Sequence, residues 1–169
     1  FLSGPFLVRT MGVAGRSRDH VEALLGDLES AYESFPVNQT TISVSGEYYE
    51  QVVEQAQQGV ARADVHVRND EGDVLLVETG DGLVAPGEIV SAEDSLEQRA
   101  KRAVRQAAGV ECRIETIEEA TIAGVHSKSD SDAEPVYRLV VLLSGRLVSG
   151  TPGPEGQWQA DPPESELVI

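Results

Sequence analysis

From Ser17 onward, apolar residues recur at every third or fourth position. Val21, Leu24, Leu25, Leu28 and Tyr32 fall on one side of a predicted helix, with Glu and Asp between them, and Pro36 stops it. Residues 40–45, TTISVS, alternate as a strand does and end at Gly46. Tyr48, Val52, Val53 and Ala56 then predict a second helix, closed by Gly59. This opening unit, residues 17–60, is too short to bury a core by itself and is expected to pack on the rest of the chain. Residues 1–16 show no such periodicity and are expected to form a tail. Residues 1–10 precede Met11, the only methionine, and are expected to be dispensable.

A second segment, residues 61–169, is expected to form the main domain. Residues 63–69, ADVHVRN, alternate apolar and polar, NDEGD turns the chain, and VLLVE at 74–78 returns it, which is a hairpin pattern. TGDG turns again before LVAPGE. The next helix is the best marked of the chain. Ser95 with Gln98, or Asp94 with Glu97, supplies a capping box. Leu96, Ala100, Ala103, Val104 and Ala107 form its apolar stripe, Glu97, Lys101 and Arg105 follow one another at four-residue steps, and Gly109 ends it. A long strand region at 111–126, a polar loop SKSDSDAEP, one long or two short strands in VYRLVVLLSGRLVSG, and the loop TPGPEGQ complete the pattern. Strands outnumber helices, which predicts a mixed sheet flanked by helices.

Charge changes the picture more than hydropathy does. Twenty-nine acidic residues face thirteen basic ones, a formal charge of −16. A field of that sign repels nucleic-acid phosphates and anionic membranes, so neither is expected as a partner. The acids are interleaved with periodic apolar residues rather than gathered in runs, which speaks for a folded chain. Only two residues, Lys101 and Lys128, are lysine, against eleven arginines. Low lysine on an evenly acidic surface resembles the proteins of haloarchaea, whose cytoplasmic salt screens self-repulsion, so a halophilic, cytoplasmic protein is expected. Cys112 is the only cysteine, which excludes a disulfide framework and places it in a strand core.

The order hairpin, Pro86-Gly87 turn, capped helix, Gly109-Val110, long strand, loop, strand resembles the Nudix hydrolase superfamily over residues 62 to about 162. The Nudix box runs G-x5-E-x7-R-E-U-x-E-E-x-G-U, U being a bulky aliphatic residue. It falls on EIVSAEDSLEQRAKRAVRQAAGV, residues 88–110. Asp94 stands at the first acid, Arg102 at the arginine, Val104 at the aliphatic position, and Gly109-Val110 closes the motif. The resemblance implies a Nudix-type α/β/α sandwich with a mixed β-sheet, here preceded by a helix-strand-helix extension like that of haloarchaeal members. It further implies a small-molecule partner, a nucleoside diphosphate linked to another moiety, with Mg2+ or Mn2+ as cofactor if the protein is active. A homodimer is compatible with it.

The departures from the box fall on its metal ligands. Ala103, Gln106 and Ala107 occupy the positions where the family has glutamates, and Glu88 replaces the first glycine. Magnesium needs hard oxygen ligands, usually including carboxylates. Two alanines supply none and a glutamine supplies one neutral oxygen, so weak or absent hydrolysis is expected. Local pattern assigns Ala103 and Ala107 to core packing. Acids that could hold a relocated metal are Glu88, Glu93, Asp94 and Glu97 around the start of the box helix, with Glu118-Glu119 on the next strand. Gly87 and Glu88 are candidate ligand contacts. A binding or regulatory module without catalysis is the alternative function, and a protein-interaction module a third.

Other residues carry weaker signals. The SDSDAE loop at 129–134 alternates acids but lacks the glycine and closing glutamate of a calcium loop. His20, His66 and His126 are scattered, with no nucleophile-base pair among them. His66 stands on a central strand, where packing or exposure is the ordinary role. Trp158 is expected to close the core. The sequon at Asn38 is irrelevant in a cytoplasmic protein.

Overall fold

The computed structural model describes residues 12–57, 61–80, 82–91 and 94–160. Residues 1–11 lie outside them, and with them the question of whether 1–10 are dispensable. The chain runs α1 (Gly12–Ala31), β1 (Val37–Val44), α2 (Gly46–Ala56), β2 (Ala61–Arg68), β3 (Val74–Thr79), β4 (Gly82–Val84), β5 (Gly87–Val90), α3 (Leu96–Ala108), β6 (Glu111–Ser127), β7 (Val136–Ser149) and β8 (Gly156–Gln159).

The strands form one mixed sheet in the order β1-β6-β7-β2-β3-β4, with β5 added to β2 and β8 to β3. Its centre is the long β6–β7 hairpin. β2 lies parallel to β7 along its whole length, Ala61 opposite Leu139 through Arg68 opposite Arg146. The β2–β3 hairpin forms, but the two strands pair only at Arg68 and Val74. The open edge of β2 goes instead to β5, with Ala61–Asp64 opposite Val90–Gly87. Alternation reads each strand's own pleat and says nothing of which neighbour takes its hydrogen bonds.

Strand alternation divides the two faces. Ala61, Ala63, Val65 and Val67 of β2 and Leu139, Val141 and Leu143 of β7 point into the main core. That core is closed by Val21 and Leu28 of α1 and by Leu96, Ala100, Val104 and Ala108 of α3. The opposite face packs Val125 and Val136 against Tyr49 and Val52 of α2. Helices therefore flank the sheet on both sides, as the α/β/α expectation requires.

The opening helix-strand-helix is built into this body. β1 pairs with β6 in parallel over all eight of its residues, Val37 opposite Ala120 through Val44 opposite Ser127. α1 starts at Gly12, ahead of Ser17 where the apolar periodicity begins. Tertiary contact accounts for the extra turn. Buried Ser17 donates to Ala14 O at 3.0 Å and accepts from Tyr137 N at 2.9 Å. Ser45 is the N-cap of α2, its hydroxyl accepting from Tyr48 N. Cys112 is buried in β6, where burial pushes its thiol up to about 11. Trp158 lies half-buried against the main core from β8.

Candidate functional site

The box helix begins and ends as its sequence dictates. Ser95 is the N-cap, accepting from Gln98 N at 3.3 Å, which selects one of the two capping pairs. Gly109 closes α3 at φ 74°, a left-handed conformation that costs glycine nothing, and its N–H returns to Arg105 O. Asp94, free of the cap, accepts from Ser91 Oγ at 2.7 Å.

At this start of α3 a guanidinium stands where a relocated metal would be sought. Arg99 Nη2 lies 3.0 Å from Asp94 Oδ2, and its Nη1 lies 3.4 Å from Glu88 Oε1. The Ser91 hydrogen bond and then the Arg99 contact hold the Asp94 carboxyl below its usual range. Glu97 points elsewhere, accepting from Oη of Tyr32, just past α1, at 3.2 Å and lying 3.7 Å from Lys101 Nζ. Glu93 lies outside the described residues. The structure thus brings Glu88 and Asp94 together around a cation and turns Glu97 away from them. Among the described residues, no three His, Cys, Asp or Glu side chains are grouped to hold a metal ion.

The three box positions do not share one environment. Ala103 is buried at 5% exposure, Ala107 is half-buried against the main core, and Gln106 is exposed. Arg102 is exposed on the outer side, beside Gln98, Arg99, Lys101 and Arg105, which with Asp94 and Ser95 line a shallow hollow of about 440 Å³. Arg105 leaves its four-residue ladder for Glu111, its Nε 2.6 Å from Oε1 and its Nη2 3.2 Å from Oε2. Ala103, Gln106 and Ala107 bring no carboxylate to these three positions, so Mg2+ or Mn2+ does not fit the residues present there.

Gly87 is required by close approach rather than by turn conformation. A Cβ at this position would stand 2.6 Å from Ala63 O and would also strike the Asp64 carboxylate. It is therefore packed against β2.

β2 carries a ladder of charge on the α2 face. Arg62 Nε donates to Asp64 Oδ1 at 3.1 Å. Burial pushes Asp64 up in spite of Arg62. Further along, Glu118 lies 3.1 Å from His66 Nδ1 and accepts from Arg68 Nη1 at 2.9 Å. Burial alone would raise the Glu118 carboxyl, but its bonds to His66 and Arg68 outweigh that and hold it low. A register shift in β6 between Ile117 and Glu119 leaves Glu118 unpaired in the ladder, aiming it at β2. Its neighbour Glu119 instead accepts from Asn38 Nδ2 at 3.2 Å. His20 is exposed and His126 half-buried, and neither joins a cluster.

Sequence pattern did not single out Arg99, Asp64 or Arg138. The signals were present: an arginine one turn inside a helix that follows acids, an Arg-x-Asp step on an alternating strand, and an arginine inside the apolar run VYRLVVLL.

No protein-family profile matches the chain, and no curated protein matches its sequence. Solved structures similar to it include a UDP-X diphosphatase, at 11% identity and TM-score 0.46, covering 86% of this chain and 70% of that one. The MutT protein from Methanosarcina mazei is similar at 18% identity and TM-score 0.44, over 60% of this chain and 76% of that one. An ADP-ribose pyrophosphatase from Streptococcus suis is similar at 14% identity and TM-score 0.42, over 59% of this chain and 72% of that one. No helix among the described residues is long and apolar enough to cross a membrane.

Proposed function

We propose that this chain is a Nudix-fold protein that binds a nucleoside diphosphate linked to another moiety and does not hydrolyse it through a box metal. The register of the box supports the family: Pro86-Gly87 leads into β5, Ser95 caps the helix, and Gly109-Val110 closes it where the motif ends. One observation carries the loss of catalysis. Glu88 and Asp94 are both engaged by Arg99, while the box-glutamate positions Ala103 and Ala107 face the protein interior. A metal-activated water has no carboxylates to hold its ion there. The negative charge of the whole chain fits a small ligand rather than nucleic acid, and a cytoplasmic place accompanies this reading.

Two measurements on one preparation in molar potassium chloride test it. Thermal shift against nucleotide sugars, ADP-ribose and nucleoside triphosphates should show stabilisation by a diphosphate derivative with or without magnesium. Release of nucleoside monophosphate from the same compounds with magnesium or manganese should stay orders of magnitude below that of an intact metal hydrolase. Brisk metal-dependent turnover, abolished by Glu88→Gln or Asp94→Asn, would establish a relocated metal site and a divergent pyrophosphohydrolase instead. Silence in both assays would leave an interaction module.

A further inference from the structure

The two edges of the sheet are unlike each other. One edge is β4, three residues long and followed by Ala85-Pro86. The other is β1, which runs for eight residues, pairs with β6 without a register shift, and contains neither proline nor lysine. Edge strands are ordinarily blunted by such devices, because they present unpaired N–H and C=O groups to any other strand. Among the described residues no strand takes the outer edge of β1.

Register decides which backbone groups stand free. Ala120 N–H donates to Pro36 O and Lys128 N–H to Val44 O, so the even-numbered residues of β1 turn their backbone groups to β6. The N–H and C=O of one residue share an edge and alternate along a strand, so Val37, Gln39, Thr41 and Ser43 turn theirs outward. Charge is absent along this edge. Residues 34–46 are the longest stretch without Asp, Glu, Lys or Arg in a chain that holds 29 acids and 13 bases. Arg18 and Glu22 of α1, which line a hollow with Gln39 and Thr41, are paired with each other at 3.3 Å. Glu119 is engaged by Asn38. Val37 is left 39% exposed, an apolar side chain facing solvent.

We infer that β1 is the surface by which two copies of this chain pair, antiparallel and edge to edge, about a twofold axis at Thr40. Outward groups meet outward groups only where odd-numbered residues stand opposite odd-numbered ones. Centring on Thr40 satisfies all four. Val37 then stands opposite the partner's Ser43 and Gln39 opposite the partner's Thr41, each pair exchanging both backbone bonds. Between them Asn38 faces the partner's Ile42, and Thr40 faces the partner's Thr40. No opposed pair brings like charges together, and threonines opposed across strands hydrogen-bond. The strand is thus complementary to itself, as an isologous contact requires. A basic peptide, the foreign strand that a charge of −16 would attract, finds no carboxylate on β1 to select it. The exposed acids of α2, Glu47, Glu50 and Glu54, lie on the same side of the joined sheet in both copies, and salt at 1 M screens them over about 3 Å.

The full chain in molar potassium chloride tests the pairing. A seam of two short strands is smaller than a standard interface of about 1,600 Å², so association should depend on concentration. Sedimentation equilibrium should show the mass rising from 18.1 kDa toward twice that value as protein concentration increases. Thr41→Pro removes an outward N–H and no bond to β6, so it should stay monomeric while melting near the wild type. Thr40→Cys should give a disulfide-linked dimer under mild oxidation, because opposed Cβ atoms lie about 4.5–5.5 Å apart. Thr41→Cys, opposite the partner's Gln39 rather than its own copy, should not link, and wild type with its buried Cys112 serves as the blank. A wild-type chain that is monomeric at every concentration, a dimer that survives Thr41→Pro, or linking through Thr41→Cys instead of Thr40→Cys would overturn the pairing.

Discussion

Tyr32, just past α1, donates its hydroxyl to Glu97 in the first turn of the box helix, 3.2 Å away and 65 residues later in the chain. The opening unit is thereby fastened to the start of α3, on the same face of the sheet. Burial, then the Glu97 charge and the hydrogen bond to it, push the Tyr32 phenol up to about 12 from an ordinary 10.0. A raised folded-state value means that the neutral phenol stabilises the fold below pH 10, and that this contribution is lost as pH rises through about 12. Stability measured by urea unfolding should fall across that window, and Tyr32→Phe should flatten the fall. The same variant should lose on the order of 1 kcal/mol at neutral pH. An unchanged alkaline profile would mean the bond does not persist in solution.

The box positions should respond unequally to glutamate. Gln106→Glu, on the exposed side, should change stability by less than about 0.5 kcal/mol. Ala103→Glu forces a carboxylate into a site exposed by only 5% and should cost about 3 kcal/mol or more without metal. Chemical denaturation of each variant, with calorimetric titration of manganese into the triple Glu variant, checks both parts. Equal costs at 103 and 106 would contradict the packing described for α3.

Gly87→Ala should destabilise by about 2 kcal/mol or more, because the new methyl meets Ala63 O of the paired strand. Backbone cannot step aside there without parting β5 from β2. Amide exchange should report the damage locally, through faster exchange along β5. A wild-type melting temperature for this variant would remove close packing as the reason for the glycine.

Folding should require salt. With 29 acids against 13 bases, self-repulsion in dilute buffer is screened over a Debye length of about 30 Å at 0.01 M and about 3 Å at 1 M. Circular dichroism from dilute to molar potassium chloride should show the native signal rising with salt. Full native signal in dilute buffer would refute a halophilic protein.

Local chemistry was legible in the sequence. The α3 stripe, its Ser95 cap and Gly109 stop, the strand alternation of β2, and the burial of Cys112 depend on neighbours within a few positions, where periodicity and capping act. That Ala103, Gln106 and Ala107 bring no carboxylate to the positions where the resembled motif has glutamates was equally plain, since alanine has no side-chain oxygen and glutamine only a neutral one. What pairs across the chain was not legible. Glu118 and Glu119 are adjacent letters, yet a bulge in β6 sends one to His66 and Arg68 and leaves the other to Asn38. Glu88, Asp94 and Glu97 read as one acidic cluster, but Arg99 joins the first two and Tyr32 takes the third. Arg138 reads as an arginine in an apolar strand, and only the placing of α2 over β7 buries it and sets its guanidinium against Gln55. Pleat and helix period are set by the backbone of each segment. The partners of long charged side chains are set by which segments the sheet order brings together, and that order is decided by the packing of the whole core.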